Sequence, residues 1–412
     1  MISAIKGTKD ILPSEIKKWR QVEETARKIF ELYGYQEIRI PIFEATELFE
    51  RGTGQTTEVV TKEMYTFRDK GGRSITLRPE CTPSVVRALI ENRLYLKPNP
   101  LRFYYLGPMF RYDKPQKGRF RQFHQIGIEV FGEDDPAIDA EIVEMVDFFL
   151  KRLRIADIEV LINSIGCKNC RPSYIEILRE ETKKHQGKFC PDCQRKIEIN
   201  PLRIFDCKKD ACQEVAEVLP KIIDYLCADC AEHFSKFKGY LEQYEIQYRV
   251  EPKLARGLDY YTKTVFEVVS HKLGAQNAIL GGGRYDDMVK DFGGPALSGI
   301  GFAIGMERLI SLLPEEEKKE EKELFIAYLG EEAKKEVIDL IRFFRQEEIV
   351  SLVEFKDKSL RNQLSRADKL GVRWALIVGE DEVKKGKYQL KDMEKGTQEE
   401  LTKEEIIKKL KI

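Results

Sequence analysis

From Glu315 to Glu323 the chain consists of glutamate and lysine alone. No residue in that run can enter a hydrophobic core, so the run reads as a linker and whatever precedes and follows it must build separate cores. At 412 residues the chain is also longer than one core usually serves. A second break lies upstream: eight of the nine cysteines fall between Gly166 and about His233. These breaks suggest five parts: 1–165, a cysteine-rich insert at 166–240, 241–314, the linker 315–323, and a final unit at 324–412.

The first part mixes helical and strand patterns. Ser14 suits a helix cap, apolar residues follow at Ile16, Trp19, Val22, Ile29, Phe30 and Tyr33, and Gly34 suits a stop. Ile38, Ile40 and Ile42 alternate with polar residues around Pro41, which predicts a strand at a sheet edge. Further strands are expected at 74–77, 101–106, 126–131 and 264–269. The mixture predicts an α+β domain on a largely antiparallel sheet. After the linker, 324–329, a helix over 331–346, a strand near 350–354, a helix and 374–378 predict a small α/β unit.

No apolar run is long enough to span a membrane, and the first residues lack the pattern of a signal peptide, so a cytoplasmic location is expected by default. Seventy basic residues cancel seventy acidic ones. Local charge is more informative. Residues 111–121 carry Arg111, Lys114, Lys117, Arg119 and Arg121 against Asp113, and residues 356–373 carry Lys356, Lys358, Arg361, Arg366, Lys369 and Arg373 against Asp357 and Asp368. Either could be an ordinary solvated face.

Three segments carry chemistry. Gly107–Tyr112, the basic loop and Gln122–Gly132 read as a strand, an arginine-rich loop and a returning strand, which sets guanidiniums for phosphate beside Phe123 for stacking on a base. The sober alternative is a plain hairpin with an exposed tip. Ser298–Leu309 reads as a glycine-spaced strand entering a helix with Arg308 in its first turn, open to close ligand approach or simply to tight packing. Arg256-Gly-Leu-Asp-Tyr260-Tyr261 and Gly281-Gly-Gly-Arg-Tyr-Asp286 form a third pair, which could equally be a polar loop with tyrosines in the core. The familiar phosphate-loop, dinucleotide and H-E-x-x-H patterns are absent from the sequence.

Together these segments resemble class II aminoacyl-tRNA synthetases and, within them, the histidyl-tRNA synthetase family. Gly107–Gly132 is similar to motif 2, Ser298–Leu309 to motif 3, and the helix and strand ending at Pro41 to the dimer-forming motif 1. Arg256–Tyr261 resembles the family's histidine signature, Lys6–Pro13 its amino terminus, and the last ninety or so residues its anticodon-binding domain. The resemblance implies an antiparallel class II catalytic domain with a helical insert and a C-terminal α/β anticodon-binding domain. It implies L-histidine, ATP with Mg²⁺, and tRNA(His) as partners, in a homodimer with no membrane contact.

The same resemblance implies residue roles. Arg111 and Arg256 would be catalytic, both binding the reacting groups. Arg111, Arg119, Phe123 and Arg308 would bind ATP. Glu80, Thr82 and Gln125 would hold the histidine α-amino group, and Glu129 and Tyr261, beside Tyr260, its imidazole. That last pairing has a physical basis: a neutral imidazole offers one N–H and one lone pair, matching a carboxylate and a phenol. Arg361, Gln363 and Arg366 would face tRNA. Cys81, between Glu80 and Thr82, departs from relatives and is expected to be packed and inert. The rival the resemblance allows is the regulatory, synthetase-like subunit of an ATP phosphoribosyltransferase, which generally lacks the C-terminal domain and these arginines.

The cysteines lie outside the family motifs. They form the pairs Cys167/Cys170, Cys190/Cys193, Cys207/Cys212 and Cys227/Cys230. The first two pairs, nineteen residues apart, match a C-x₂-C…C-x₂-C zinc pattern on Cys167, Cys170, Cys190 and Cys193. Reduced thiols and, in a hyperthermophile, disulfides are the alternatives.

Overall fold

The computed structural model describes residues 2–54, 57–116, 118–207, 209–274, 277–315, 323–356 and 358–411. Lys117, Asp357 and residues 316–322 of the charged linker lie outside them. The chain divides into two compact units, Met1–Pro314 and Glu315–Ile412.

The first unit opens with α1 (Pro13–Leu32), which buries Trp19, Val22, Ala26, Ile29 and Phe30. Ser14 is not its cap. Pro13 takes the start of the helix, where its fixed φ suits the first turn and its missing N–H costs nothing. Nor is Ile38–Ile42 a strand. The ladder holds only β1 (Gln36–Glu37), and the chain re-forms as β2 (Phe43–Ala45). In between, Arg78 Nη1 donates to the Ile40 carbonyl at 2.9 Å, filling an acceptor that a strand neighbour would have used.

Helix α2 (Thr46–Thr53) leads to β3 (Tyr65–Arg68) and β4 (Ser74–Leu77), which join β2 in a small antiparallel sheet of order β2-β4-β3. After α3 (Thr82–Glu91) come the two long strands of the basic hairpin, β5 (Leu101–Phe110) and β6 (Gln122–Phe131), paired from Leu101↔Phe131 to Phe110↔Gln122. Next are α4 (Pro136–Arg152), capped by the Asp135 carboxylate on Ala137 N, and β7 (Ile158–Ser164).

The insert is helical, as expected, with α5 (Arg171–Lys184), α6 (Pro191–Ile199), α7 (Asp210–Val218) and α8 (Ala228–Gln243). The chain returns through β8 (Tyr248–Val250), β9 (Thr262–Ser270), β10 (Ala278–Arg284), α9 (Met288–Asp291), β11 (Gly299–Gly305) and α10 (Met306–Ser311). Gly281–Arg284 is therefore strand, where a polar loop had been one reading.

These strands form one sheet of order β1-β5-β6-β11-β10-β9-β7-β8, antiparallel within and parallel at each edge. Alternation sorts its side chains between two faces. Ile126, Ile128, Val130, Phe266 and Val268 pack with α1, α4 and α8 in the largest core. The opposite face carries two smaller cores. In one, Leu161, Val265 and Val269 share a cluster with Tyr174, Leu178 and Val215 of the insert. In the other, Tyr105, Met109 and Tyr285 pack with α3. Between them lies the functional cavity.

The second unit contains the expected β-α-β-α-β run: β12 (Glu323–Tyr328), α11 (Glu331–Gln346), β13 (Val350–Val353), α12 (Leu360–Leu370) and β14 (Trp374–Val378), with β12 parallel to both neighbours. It continues as α13 (Glu380–Lys385), a hairpin of β15 (Tyr388–Asp392) and β16 (Gln398–Leu401), and α14 (Lys403–Lys411). Among the described residues no helix is long and apolar enough to cross a membrane.

Candidate active site

A cavity of about 360 Å³ opens on the sheet face opposite α1 and α4. Glu80, Thr82, Arg111, Arg119, Phe123, Gln125, Arg256, Tyr260, Tyr261 and Arg308 all line it, although they come from the entry to α3, the long hairpin with its basic loop, the signature segment and α10. Glu129 lies just behind the wall. Its carboxylate accepts from Thr82 Oγ1 at 2.6 Å, from the Tyr105 hydroxyl at 3.4 Å and, through a short bond, from the Tyr285 hydroxyl. All three donors line the cavity.

The acids form a buried cluster. Glu80, 4% exposed, accepts from Thr53 Oγ1 at 2.6 Å and the Tyr260 hydroxyl at 2.9 Å. Burial pushes the Glu129 carboxyl up to about 8 despite the Thr82 and Tyr285 hydroxyls, and the nearby Glu80 charge adds to the rise. Burial raises Glu80 as well, against the pull of Thr53 and Arg111. Two carboxyls kept from ionising in this way favour a cationic guest. Beside them, the Gln125 side-chain oxygen is buried with no hydrogen-bond partner among the described residues.

The cations converge too. Arg111 Nε donates to the Pro79 carbonyl at 2.9 Å, and its guanidinium lies 5.4 Å from the Phe123 ring. Arg308 Nη1 donates to the Ala278 carbonyl at 2.9 Å. Burial lowers the affinity of Arg308 for its proton, and the positive charges of Arg119 and Arg111 lower it further, so three guanidiniums share one region. Arg119 also pairs with Asp113 and, at 3.6 Å, with Glu63. Arg256 pairs with Glu267 of β9 and lies flat on β10, where a Cβ on Gly281 would fall 2.0 Å from its Nη2.

Two glycines of β11 act in the same way, Gly299 making room for the Tyr285 ring. Gly301 makes room for the Glu129 side chain rather than for a ligand. Glu307 ties α10 to β6, accepting from His124 N at 2.9 Å and lying 3.0 Å from His124 Nδ1. Sequence reasoning missed Tyr105, Tyr285, Glu267 and Thr53. Tyr285 stood in the segment Gly281–Asp286 without a role of its own, and Glu267 carried a signal as a lone acid in the apolar run Val265–Val269. Cys81 is packed as expected, 1% exposed with Sγ 3.7 Å from Met109 Sδ, and burial pushes its thiol well up.

Behind the site, Arg284 and Asp139 are both fully buried and paired at 2.6 Å, with His233 Nε2 2.9 Å from the same carboxylate. Burial raises the Asp139 carboxyl, but Arg284 and His233 outweigh it and hold the group below its ordinary range.

The four expected metal ligands do not converge. Cys167 and Cys170 sit at the stem of the insert and meet Cys227 and Cys230, which enter α8. Cys190 and Cys193, further out on α6, meet Cys207 and Cys212. Each set brings its four sulfurs within 4.8 Å of one another. Sulfurs bound to one zinc at about 2.3 Å would stand about 3.8 Å apart at tetrahedral angles. Sγ distances in the stem set are 3.8 Å for Cys167–Cys170, 3.9 Å for Cys167–Cys227 and 3.8 Å for Cys170–Cys230. Backbone N–H groups point at the sulfurs, as Asn169 N does to Cys167 and Cys193 N to Cys190. The donor set fits a thiophilic divalent ion in both places.

In the second unit Arg361 and Arg366 are exposed on α12. Gln363 is not available to a partner. It is 1% exposed, donates to the Tyr328 and Lys358 carbonyls at 2.7 and 2.9 Å and accepts from Tyr328 N at 3.0 Å, pinning α12 to β12.

Comparison with known proteins agrees with this geometry. Residues 7–168 and 207–309 match the family described as histidyl-tRNA synthetase, and residues 323–411 match an anticodon binding domain. The chain is 47% identical to a histidine–tRNA ligase of Halothermothrix orenii, with 99% of each chain covered. It is 50% identical to one of Desulfitobacterium hafniense, covering 96% of this chain and 94% of that one. The crystal structure of apo S. aureus histidyl-tRNA synthetase superposes over 100% of both chains with a TM-score of 0.84 at 35% identity.

Proposed function

Because the chain belongs to the histidyl-tRNA synthetase family and is thereby an aminoacyl-tRNA ligase, we propose that it joins L-histidine to ATP in this cavity and passes the histidyl group to the 3′ end of tRNA(His). The observation that carries the reading is the pairing of opposite preferences in one cavity. Arg111, Arg119 and Arg308 crowd their charges together, which a polyphosphate relieves, while Glu80 and Glu129 are held from ionising, which an ammonium relieves.

Arg111 and Arg308 bind the triphosphate of Mg·ATP, with Arg119 joining after exchanging Asp113 for phosphate. Phe123, already against Arg111, stacks on adenine. Glu80, Thr82 and the unpartnered Gln125 oxygen take the α-ammonium. Glu129 accepts the imidazole N–H in place of one of its present hydroxyl donors, and Tyr261, its ring centroid 4.6 Å from that of Tyr260, donates to the other nitrogen. Arg256, steered by Glu267, lies between the histidine carboxylate and the α-phosphate and opposes the charge that builds as the carboxylate oxygen attacks and pyrophosphate leaves. Magnesium enters with the nucleotide.

Residues 1–165 and 241–314 then form the catalytic domain around the insert at 166–240, and 324–412 the anticodon-binding domain. Arg361 and Arg366 face tRNA there. A homodimer through the motif 1 region is supported by exposed Ile42, Phe43 and Phe67 around the small sheet. The two cysteine sets bind structural zinc, supported by the near-tetrahedral sulfur spacing of the stem set and the convergence of the other, and nine unbridged cysteines suit the cytoplasm. Histidine-dependent ATP–pyrophosphate exchange, followed by charging of a tRNA(His) transcript, tests the activity. Purified protein inactive in exchange would overturn it in favour of a regulatory role.

A further inference from the structure

We infer that the stem site, on Cys167, Cys170, Cys227 and Cys230, is a clamp that sets the histidine signature over the cavity, acting through Arg171 as a positioning residue. This rests on the zinc reading above. Cys167 follows the end of β7 by three residues and Cys227 immediately precedes α8, so this set closes the insert where it leaves and rejoins the catalytic sheet. The other set lies wholly inside that span, making the two sites nested.

The stem is bonded directly to the start of β9, the strand that follows the signature. Ile165 N donates to the Lys263 carbonyl and Lys263 N to the Gly166 carbonyl, both at 2.8 Å. Gly166 has φ +66°, and a Cβ there would fall 2.7 Å from Cys170 Sγ, so the turn that delivers this sulfur requires glycine. Arg171, the next residue after Cys170, turns back over the turn. Its guanidinium donates to the Ile165 and Gly166 carbonyls at 3.3 Å each and to the Tyr261 carbonyl at 2.5 Å. Tyr261 lines the cavity.

Four thiols at these distances hold one another only weakly, and four thiolates repel. A divalent ion converts the same cluster into a rigid joint closing a span of 60 residues. Without it the start of α5, and Arg171 with it, loses its anchor, and the Tyr261 carbonyl loses a charged donor. The arginines that would hold the triphosphate are anchored elsewhere, Arg111 on the Pro79 carbonyl and Arg308 on the Ala278 carbonyl. The consequence is specific: loss of the stem metal weakens histidine binding while ATP binding persists.

Full-length protein reconstituted with zinc under reductant should carry two zinc ions per chain by elemental analysis. Cys227→Ser/Cys230→Ser should carry one and raise KM for histidine in pyrophosphate exchange by about tenfold, the scale for removing an outer-shell support, with KM for ATP nearly unchanged. Arg171→Ala should keep both metals and raise the histidine KM similarly, and Arg171→Lys should recover part of it because an ammonium can still donate to the Tyr261 carbonyl. A wild type without zinc would overturn the zinc reading and the clamp together, and a zinc content that Cys227→Ser/Cys230→Ser leaves unchanged would overturn the stem site and the clamp with it. Two ions with an unchanged histidine KM in Cys227→Ser/Cys230→Ser would overturn the clamp alone. If that variant does not fold, Arg171→Ala decides: an unchanged histidine KM, or an equal rise for ATP, refutes the clamp.

Discussion

Glu129 on β6 and Gly301 on β11 sit opposite each other in register, and the carboxylate occupies the space a side chain at 301 would need. A Cβ on Gly301 would lie 2.0 Å from Glu129 Oε2 and 2.3 Å from the Ile128 carbonyl oxygen. The second contact is backbone and cannot swing away. Gly301→Ala should therefore displace Glu129 or spread the strand pair, destabilising the protein by about 1–3 kcal/mol as overpacked cores do. Histidine-dependent exchange should fall more than ATP binding measured alone. An alanine variant with unaltered histidine KM and stability would show that the carboxylate position is not what the glycine protects.

Glu129 also makes a prediction about pH. Its folded-state carboxyl titrates near 8, against about 4.5 when the chain unfolds. Between those values the folded chain keeps a proton that the unfolded chain has released, so this group's contribution to stability falls as pH rises. The limiting slope is about 1.4 kcal/mol per pH unit. Glu129→Gln cannot titrate, so urea unfolding should show the variant gaining on the wild type from about pH 5 to about pH 8. A difference between the two that stays flat across that window would put the carboxyl back in the ordinary range.

Much of this arrangement was legible in the chain, and the remainder was hidden for definite reasons. The basic hairpin and the strand-to-helix entry before Arg308 follow from local pattern, because strand alternation and turn residues act over short distances. The cysteine partners were misread because spacing orders pairs along the chain, whereas the stem brings Cys167 beside Cys227, 60 residues away. Gln363 stood in a basic, polar run, yet helix phase turns it inward onto Tyr328. The strand Tyr388–Asp392 was obscured by the lysines and glutamates around it, although Tyr388, Leu390 and Asp392 alternate inward. Tyr285 could be read as a core tyrosine and Tyr105 stood inside a predicted strand, and their approach to Glu129 reveals a share in the site.

The buried pair Arg284–Asp139 makes the third prediction. Asp139→Asn removes the nearer of two carboxylates, Asp139 at 2.6 Å and Asp286 at 3.3 Å, that pair with a guanidinium with no exposed surface. Breaking such a pair from one side costs about 3–5 kcal/mol. Thermal unfolding should register that loss even though neither residue lines the cavity. A drop under about 1 kcal/mol, the scale of a surface pair, would mean the guanidinium finds other partners.

Residues 1–314 form a compact unit with their own cores. Ending the chain after Pro314 should leave histidine-dependent exchange largely intact while abolishing tRNA charging, since Arg361 and Arg366 are lost. Equal loss of both activities would mean that the second unit supports the catalytic one.

Arg256 carries the last prediction. Adenylate formation drives a carboxylate against a phosphate, and the repulsion is greatest as the new P–O bond forms. A guanidinium fixed between them relieves the transition state more than the bound substrates, so its removal should act on rate rather than affinity. Its fixity is built into the sheet: Glu267 orients one edge, and the bare backbone of Gly281 lets the plane lie flat. Arg256→Ala should lower kcat for pyrophosphate exchange by about 10²–10³, the range for one lost oxyanion donor. KM for ATP should change far less, because Arg111 and Arg308 still hold the triphosphate. Arg256→Lys should recover little, since an ammonium cannot fork between Glu267 and two anions. Gly281→Ala should reproduce the kcat loss with Arg256 still in the chain, because the added methyl group would fall 2.0 Å from Nη2 and lift the guanidinium off the strand. If Gly281→Ala is impaired only in KM for ATP, or Arg256→Ala keeps its kcat, the guanidinium binds without acting on the reacting atoms.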